Sequence, residues 1–85
     1  MEYDYLIRVN DTIADTIFSN DNLHLEVGKG LVFRGEYHTI TKLDYYVDAD
    51  RKKFVYFVDI EYIPIENVPS SIQTKMLWDA DRDYR

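Results

Sequence analysis

This chain has no cysteine, three glycines, two prolines and no long uninterrupted apolar run. Without cysteine there are no disulfides and no thiolate zinc site, so nothing covalent helps a chain near the lower size limit of a single core. Every apolar run falls far short of the roughly 20 residues a membrane helix needs. The opening Met1-Glu2-Tyr3-Asp4 lacks the basic region of a secretory signal. We therefore expect a cytoplasmic protein without a membrane partner: one small domain over residues 1–78, followed by an acidic, frayed tail over 79–85. Glycine, alanine and proline are scarce while Ile, Tyr, Phe, Asn and Lys are favoured. AT-rich genomes select that usage, so it suggests a low-GC bacterium, its phage or another mobile element.

Positive charge is also in short supply: 10 Lys and Arg against 16 Asp and Glu leave a formal net charge of -6. Phosphate backbones are bound by cations that displace counterions, so direct nucleic-acid binding is not expected. A protein partner with a basic surface is the natural electrostatic match.

What the chain has in quantity is strand-forming sequence. From Tyr37 to Ile63, two runs of β-branched and aromatic residues flank the charged stretch Asp48 to Lys53, the layout of a β-hairpin. Placing Val47 opposite Phe54 sets Tyr45 against Tyr56, Leu43 against Val58, Thr41 against Ile60 and Thr39 against Tyr62. That register makes one mostly apolar face. On the other face it puts Lys42 opposite Asp59, Tyr46 beside Val55 and Asp44 beside Phe57.

Upstream, Tyr3, Tyr5, Ile7 and Val9 alternate with Asp4, Leu6 and Arg8, which predicts a first strand with its apolar face inward. Asn10 to Phe18 is open between a short helix capped by Asn10 or Asp11 and an extended loop. Ser19 to Asn22 reads as a turn. Leu23, Leu25 and Val27 predict a second strand that ends at Gly28-Lys29-Gly30. Leu31 to Phe33 resume an extended path, and Gly35 marks a bulge or bend. Pro64 should end the last long strand. Ser70 and Gln73 have capping-box spacing, with Met76 one turn beyond Ile72, which favours a short C-terminal helix over an extended tail. The expected architecture is mainly β: a small barrel or strongly bent antiparallel sheet of four to six strands.

No motif for chemistry emerges. Asp79, Asp81 and Asp83 begin like a calcium loop, but Tyr84 stands where that loop needs glycine. His24 and His38 belong to no metal or nucleophile motif, and each falls on the expected outer face of its strand. Ser19, Ser70 and Ser71 suit turns and caps. Asp59 and Glu61 are expected to face solvent, which leaves a general acid or base without tuning. We expect no enzyme and no cofactor or metal.

The informative feature is what the hairpin leaves outside. Tyr46, Val55 and Phe57 form a second apolar face, with Asp44, Asp48, Asp50, Asp59 and Glu61 around it. Either another segment of the chain covers this face, the Ile13 to Phe18 stretch or Met76 and Trp78, or a partner does. These eight residues are the candidate partner-binding set. The reading they favour is an inhibitor from a phage or mobile element, docking on a nucleic-acid-handling host protein as an anti-defence factor with partial DNA mimicry. The alternatives are a virion assembly protein that self-associates through this face, and a peptide-binding barrel.

Three short segments resemble the Src-homology-three family of small barrels. Tyr3-Asp4-Tyr5 is similar to its early tyrosine motif, Val27-Gly28-Lys29-Gly30 to the turn before the next strand, and Tyr62-Ile63-Pro64 through Val68 to its late proline segment. The resemblance implies a small curled barrel in which Tyr3, Tyr5 and Pro64 line a groove for proline-rich ligands. The family's paired tryptophans have no counterpart here, since the one tryptophan, Trp78, lies beyond these segments.

Overall fold

A computed structural model describes residues 1–70. Beyond Ser70, the helix expected around Ser70 to Met76, together with Trp78 and the acidic tail, falls outside the described residues. The described chain is mainly β: β1 (Glu2–Val9), β2 (Thr12–Ser19), β3 (Gly30–Phe33), β4 (Glu36–Asp48) and β5 (Lys53–Tyr62), followed by a 3₁₀ turn at Ile65–Asn67. They form one strongly curled sheet, a half-barrel, in the order β2-β1-β5-β4-β3. A hairpin (β1–β2) and a three-stranded meander (β3–β4–β5) are joined by parallel pairing of β1 with β5.

Turn chemistry decides the first hairpin. Asn10 and Asp11 both have positive φ (52° and 63°) between the paired residues Val9 and Thr12. This is the two-residue turn whose twist matches that of the flanking strands. Asn and Asp tolerate that conformation, so the pair reverses the chain where a helix cap was one of two readings. The stretch after it is the strand β2, neither helix nor loop. Arg34 and Gly35 (φ 53° and 78°) make the same kind of turn between Phe33 and Glu36. Gly35 is therefore a turn residue.

The strand expected over Leu23 to Val27 does not form. With β2 and β3 at opposite edges, their connection must cross the inner face of the half-barrel. It is shaped by local hydrogen bonds: the Asn22 side chain accepts from the His24 amide at 2.8 Å, and His24 turns to φ 53°. Leu25 packs on the core, and Gly28 and Lys29 bond the two backbone groups of Ile40 at 2.8 and 2.9 Å. The core lies along β1 and β5, where Tyr5, Ile7, Val58 and Ile60 meet Ile40 of β4. Tyr3 beside Phe54, Tyr5 beside Tyr56, Ile7 beside Val58 and Val9 beside Ile60 follow from the alternation read in both strands.

The main hairpin has the expected register from Lys42 to Val47, with Tyr45 opposite Tyr56 and Val47 opposite Phe54. Beyond that a bulge intervenes: Ile40, not Thr41, faces Ile60, and Thr39 faces Glu61. Thr41 is the extra residue, and its hydroxyl donates to the Asp59 carbonyl at 3.3 Å. The physical reason is hydrophobic. Strict alternation would bury Thr39 and Thr41 and expose Ile40, whereas one extra residue turns Ile40 inward. His38 goes inward with it, only 6% exposed. It lies edge-on to Phe33 and Tyr62, and its Nδ1 donates to the Glu36 carbonyl at 2.9 Å. The expectation of a surface histidine fails at His38, while His24 is exposed as expected.

Candidate functional site

The outer face of the β4–β5 hairpin carries the nominated residues, and the structure divides them. Tyr46 is 51% exposed, and its ring tilts against Phe57 at 6.1 Å. Val55 is a correction: at 5% exposed it offers a partner nothing. It sits in a strand flanked on both sides, with Asp4 of β1 and Tyr46 of β4 as its lateral neighbours. Phe57 is half-covered, with the Arg8 guanidinium 5.1 Å from its ring centre.

Of the two segments that could cover this face, Ile13 to Phe18 does not do so, and Met76 and Trp78 lie outside the described residues. The former extends the same sheet beyond β1. Next to β5, the outer side of β1 instead supplies charge. Lys53 and Asp4 form an ion pair at 2.7 Å in which both side chains are largely covered. Arg8 grips Asp59 with two nitrogens, Nε to one oxygen and Nη2 to the other at 3.1 Å. Hydrogen bonding to Asp59 raises the Arg8 pKa further above its already high value. Lys42 lies opposite Asp59 as expected but pairs with Asp44 at 3.5 Å. The guanidinium fork matches both carboxylate oxygens and so takes Asp59 from the ammonium.

The acidic row is therefore partly neutralised. Asp44 holds Lys42, Asp59 holds Arg8, and Asp48 lies 3.9 Å from Arg51 while also accepting the Arg51 amide. Asp50 and Glu61 are exposed and have no ion pair among the described residues. Asp59, expected in solvent, is held in the Arg8 clamp.

The inner face of the same hairpin carries aromatic residues that sequence reading left as core. Tyr5, Tyr56 and Tyr45 stack in a column, with ring centres 5.0 and 5.2 Å apart. Burial, then the neighbouring tyrosines, pushes the Tyr56 hydroxyl above the ordinary tyrosine value. Tyr45 ends the column and is 62% exposed; Val47 next to the tip is 52% exposed. The missed signal was length: the hairpin arms run on beyond what the crossing segment can cover. The tyrosine and proline groove does not assemble. Tyr5 has no exposed surface, and its hydroxyl accepts from the Leu23 amide at 2.8 Å. Pro64 lies eight residues past Tyr56, the strand neighbour of Tyr5.

Among the described residues no cluster of His, Asp or Glu could hold a metal ion, and no helix is long and apolar enough to cross a membrane. No family model matches this sequence, and neither a curated protein nor a solved structure matches it.

Proposed function

We propose that this protein is a non-enzymatic protein-binding domain that docks through the tip half of its β4–β5 hairpin. One observation carries the reading: Tyr45, Tyr46 and Val47 are consecutive, and each leaves half or more of its surface open. Exposed runs of apolar residues are a solubility fault unless a partner uses them. Successive strand residues face opposite ways, so this run presents anchors on both sides of the hairpin, and tyrosine is a favoured anchor.

The net charge of -6 and the carboxylates of Asp50 and Glu61, which have no ion pair among the described residues, favour a partner with a basic surface. Together with the AT-rich residue usage, this makes a nucleic-acid-handling host protein the partner class, and this chain a phage-type or mobile-element inhibitor acting in the host cytoplasm. DNA mimicry contributes little to the reading, because Asp44, Asp48 and Asp59 each lie beside a cation. The strong curl of the sheet is compatible with a small barrel of the Src-homology-three kind. The sealed Tyr5 argues against that family's peptide groove.

The test is a binding screen of the immobilised protein against purified basic defence nucleases of a low-GC bacterium, at low and high salt. Capture should weaken with salt, disappear in Tyr46→Asp, and survive in the control Val32→Asp on exposed β3 surface. No capture at either salt, or capture indifferent to Tyr46→Asp, sinks the reading. Self-association in a virion-type assembly is the second reading, favoured by Ile13 and Phe18 exposed on the edge strand β2. A constant monomer mass by light scattering across a concentration series would exclude it.

A further inference from the structure

We propose that the groove between the Asn22–Glu26 segment and the hairpin is a receptor for one arginine or lysine side chain of the basic partner. The inference rests on the docking reading above and deepens it. The groove has a volume of about 320 Å³ and is lined by Leu25, Leu43, Tyr45 and Tyr56 and by the polar residues Asn22, His24 and Glu26.

Each part of a long basic side chain finds its complement there. Leu25 and Leu43 offer apolar surface to the aliphatic stem. Tyr56 has a ring on either side, Tyr5 and Tyr45, so the open ring face of the column belongs to Tyr45. A ring face is electronegative and attracts a cation placed over it. Glu26 adds a carboxylate that has no ion pair among the described residues. A nucleobase could stack on Tyr45 equally well, but its phosphates would meet the Glu26 carboxylate and a net charge of -6.

The groove is built in advance of any partner. Tyr5, the inner ring of the column, also anchors the opposite wall: its hydroxyl accepts from the Leu23 amide at 2.8 Å and donates to Asn22 Oδ1 at 3.4 Å. The same Asn22 oxygen accepts from the His24 amide at 2.8 Å. Both walls therefore hang on one buried residue, and a guest meets a fixed width.

The experiment is an NMR titration of the full chain with hexa-arginine, with hexa-glutamine as the neutral control. Hexa-arginine should shift the amides of Leu25, Glu26 and Tyr45, and hexa-glutamine should not. Glu26→Gln and Tyr45→Leu should each weaken hexa-arginine about fivefold or more, while Tyr45→Phe, which keeps the ring, should stay within about twofold. Asp50→Asn removes the same charge elsewhere and should also stay within about twofold. Equal losses in Asp50→Asn and Glu26→Gln, unchanged binding in Tyr45→Leu, or no binding at all would overturn the proposal. The two readings fail separately. A partner lost in Tyr46→Asp but indifferent to Glu26→Gln overturns the receptor alone. An arginine-selective groove in a protein that captures no basic partner overturns the docking reading alone.

Discussion

Arg34, in the turn between β3 and β4, donates from Nη2 to the carbonyl of Ala14 at 2.8 Å. Ala14 is the extra residue of β2, since Ile7 pairs with Asp15 and the adjacent Arg8 with Ile13. One side chain thus fastens the two edges of the curled sheet to each other. The bulge leaves the Ala14 carbonyl outside regular pairing, and Arg34 occupies it where another chain could otherwise add a strand.

Replacing Arg34 with Ala should therefore loosen the edges before it unfolds the core. We expect a loss of about 1 kcal/mol in urea denaturation, with faster amide hydrogen exchange concentrated in β2. Uniform acceleration across the sheet, or none, would show that the clasp does not hold the edges.

Thr41 offers a test of the bulge in β4. With Thr41 deleted, Ile40 still faces inward, Lys42 takes the outward place and Leu43 follows inward, so the faces survive. The deletion should fold with a stability change of about 1–2 kcal/mol, comparable to other single changes outside the core. Deleting Ile40 instead should cost far more, because Thr41 then takes the place of a buried isoleucine. Similar denaturation midpoints for the two deletions would refute this account.

Lys53 of β5 and Asp4 of β1 pair on adjacent strands, and both side chains are largely covered. Lys53→Met should cost about 2–3 kcal/mol, because it leaves a covered carboxylate without its counter-ion. Adding Asp4→Asn to Lys53→Met should recover at least half of that loss, a coupling that a double-mutant cycle would read. Additive losses would mean that the pair acts independently.

Tyr56 sets a limit at high pH. Its hydroxyl pKa is raised above the ordinary 10.0, chiefly by burial. The folded state therefore keeps a proton that the unfolded chain releases first. That contribution is complete below about pH 10 and is lost as pH climbs toward the raised value. Urea midpoints measured from pH 8 to 11 should fall more steeply in the wild type than in Tyr56→Phe. Parallel slopes would assign the alkaline loss to other groups.

The sequence was most legible where neighbours along the chain face each other. The register from Lys42 to Val47 against Phe54 to Asp59 could be read from composition and alternation, because a tip of charged residues fixes which residues meet. The bulge at Thr41 was not read: strict alternation put Thr39 and Thr41 inward with Leu43, and it is the structure that turns Ile40 to the core. Leu23 to Val27 misled because its alternation is real, yet a strand also needs an unpaired edge beside it. This segment crosses the sheet and ties itself down through Asn22 and Tyr5.

The candidate surface was legible only in part. Tyr46 and Asp50 are where the pattern placed them, because the tip of a long hairpin is exposed whatever the rest of the chain does. Val55 and Asp59 are not, because β1 lies against β5 and brings Asp4 beside Val55 and Arg8 beside Asp59. The order of residues determined β1, the β4–β5 hairpin with its tip register, and the acidity, all of which depend on local preference and composition. Only the tertiary structure decided that β1 joins β5, that Arg8 rather than Lys42 holds Asp59, and that the tyrosine column ends in an open groove. Those outcomes depend on pairing between distant segments, and no local pattern encodes which segment arrives.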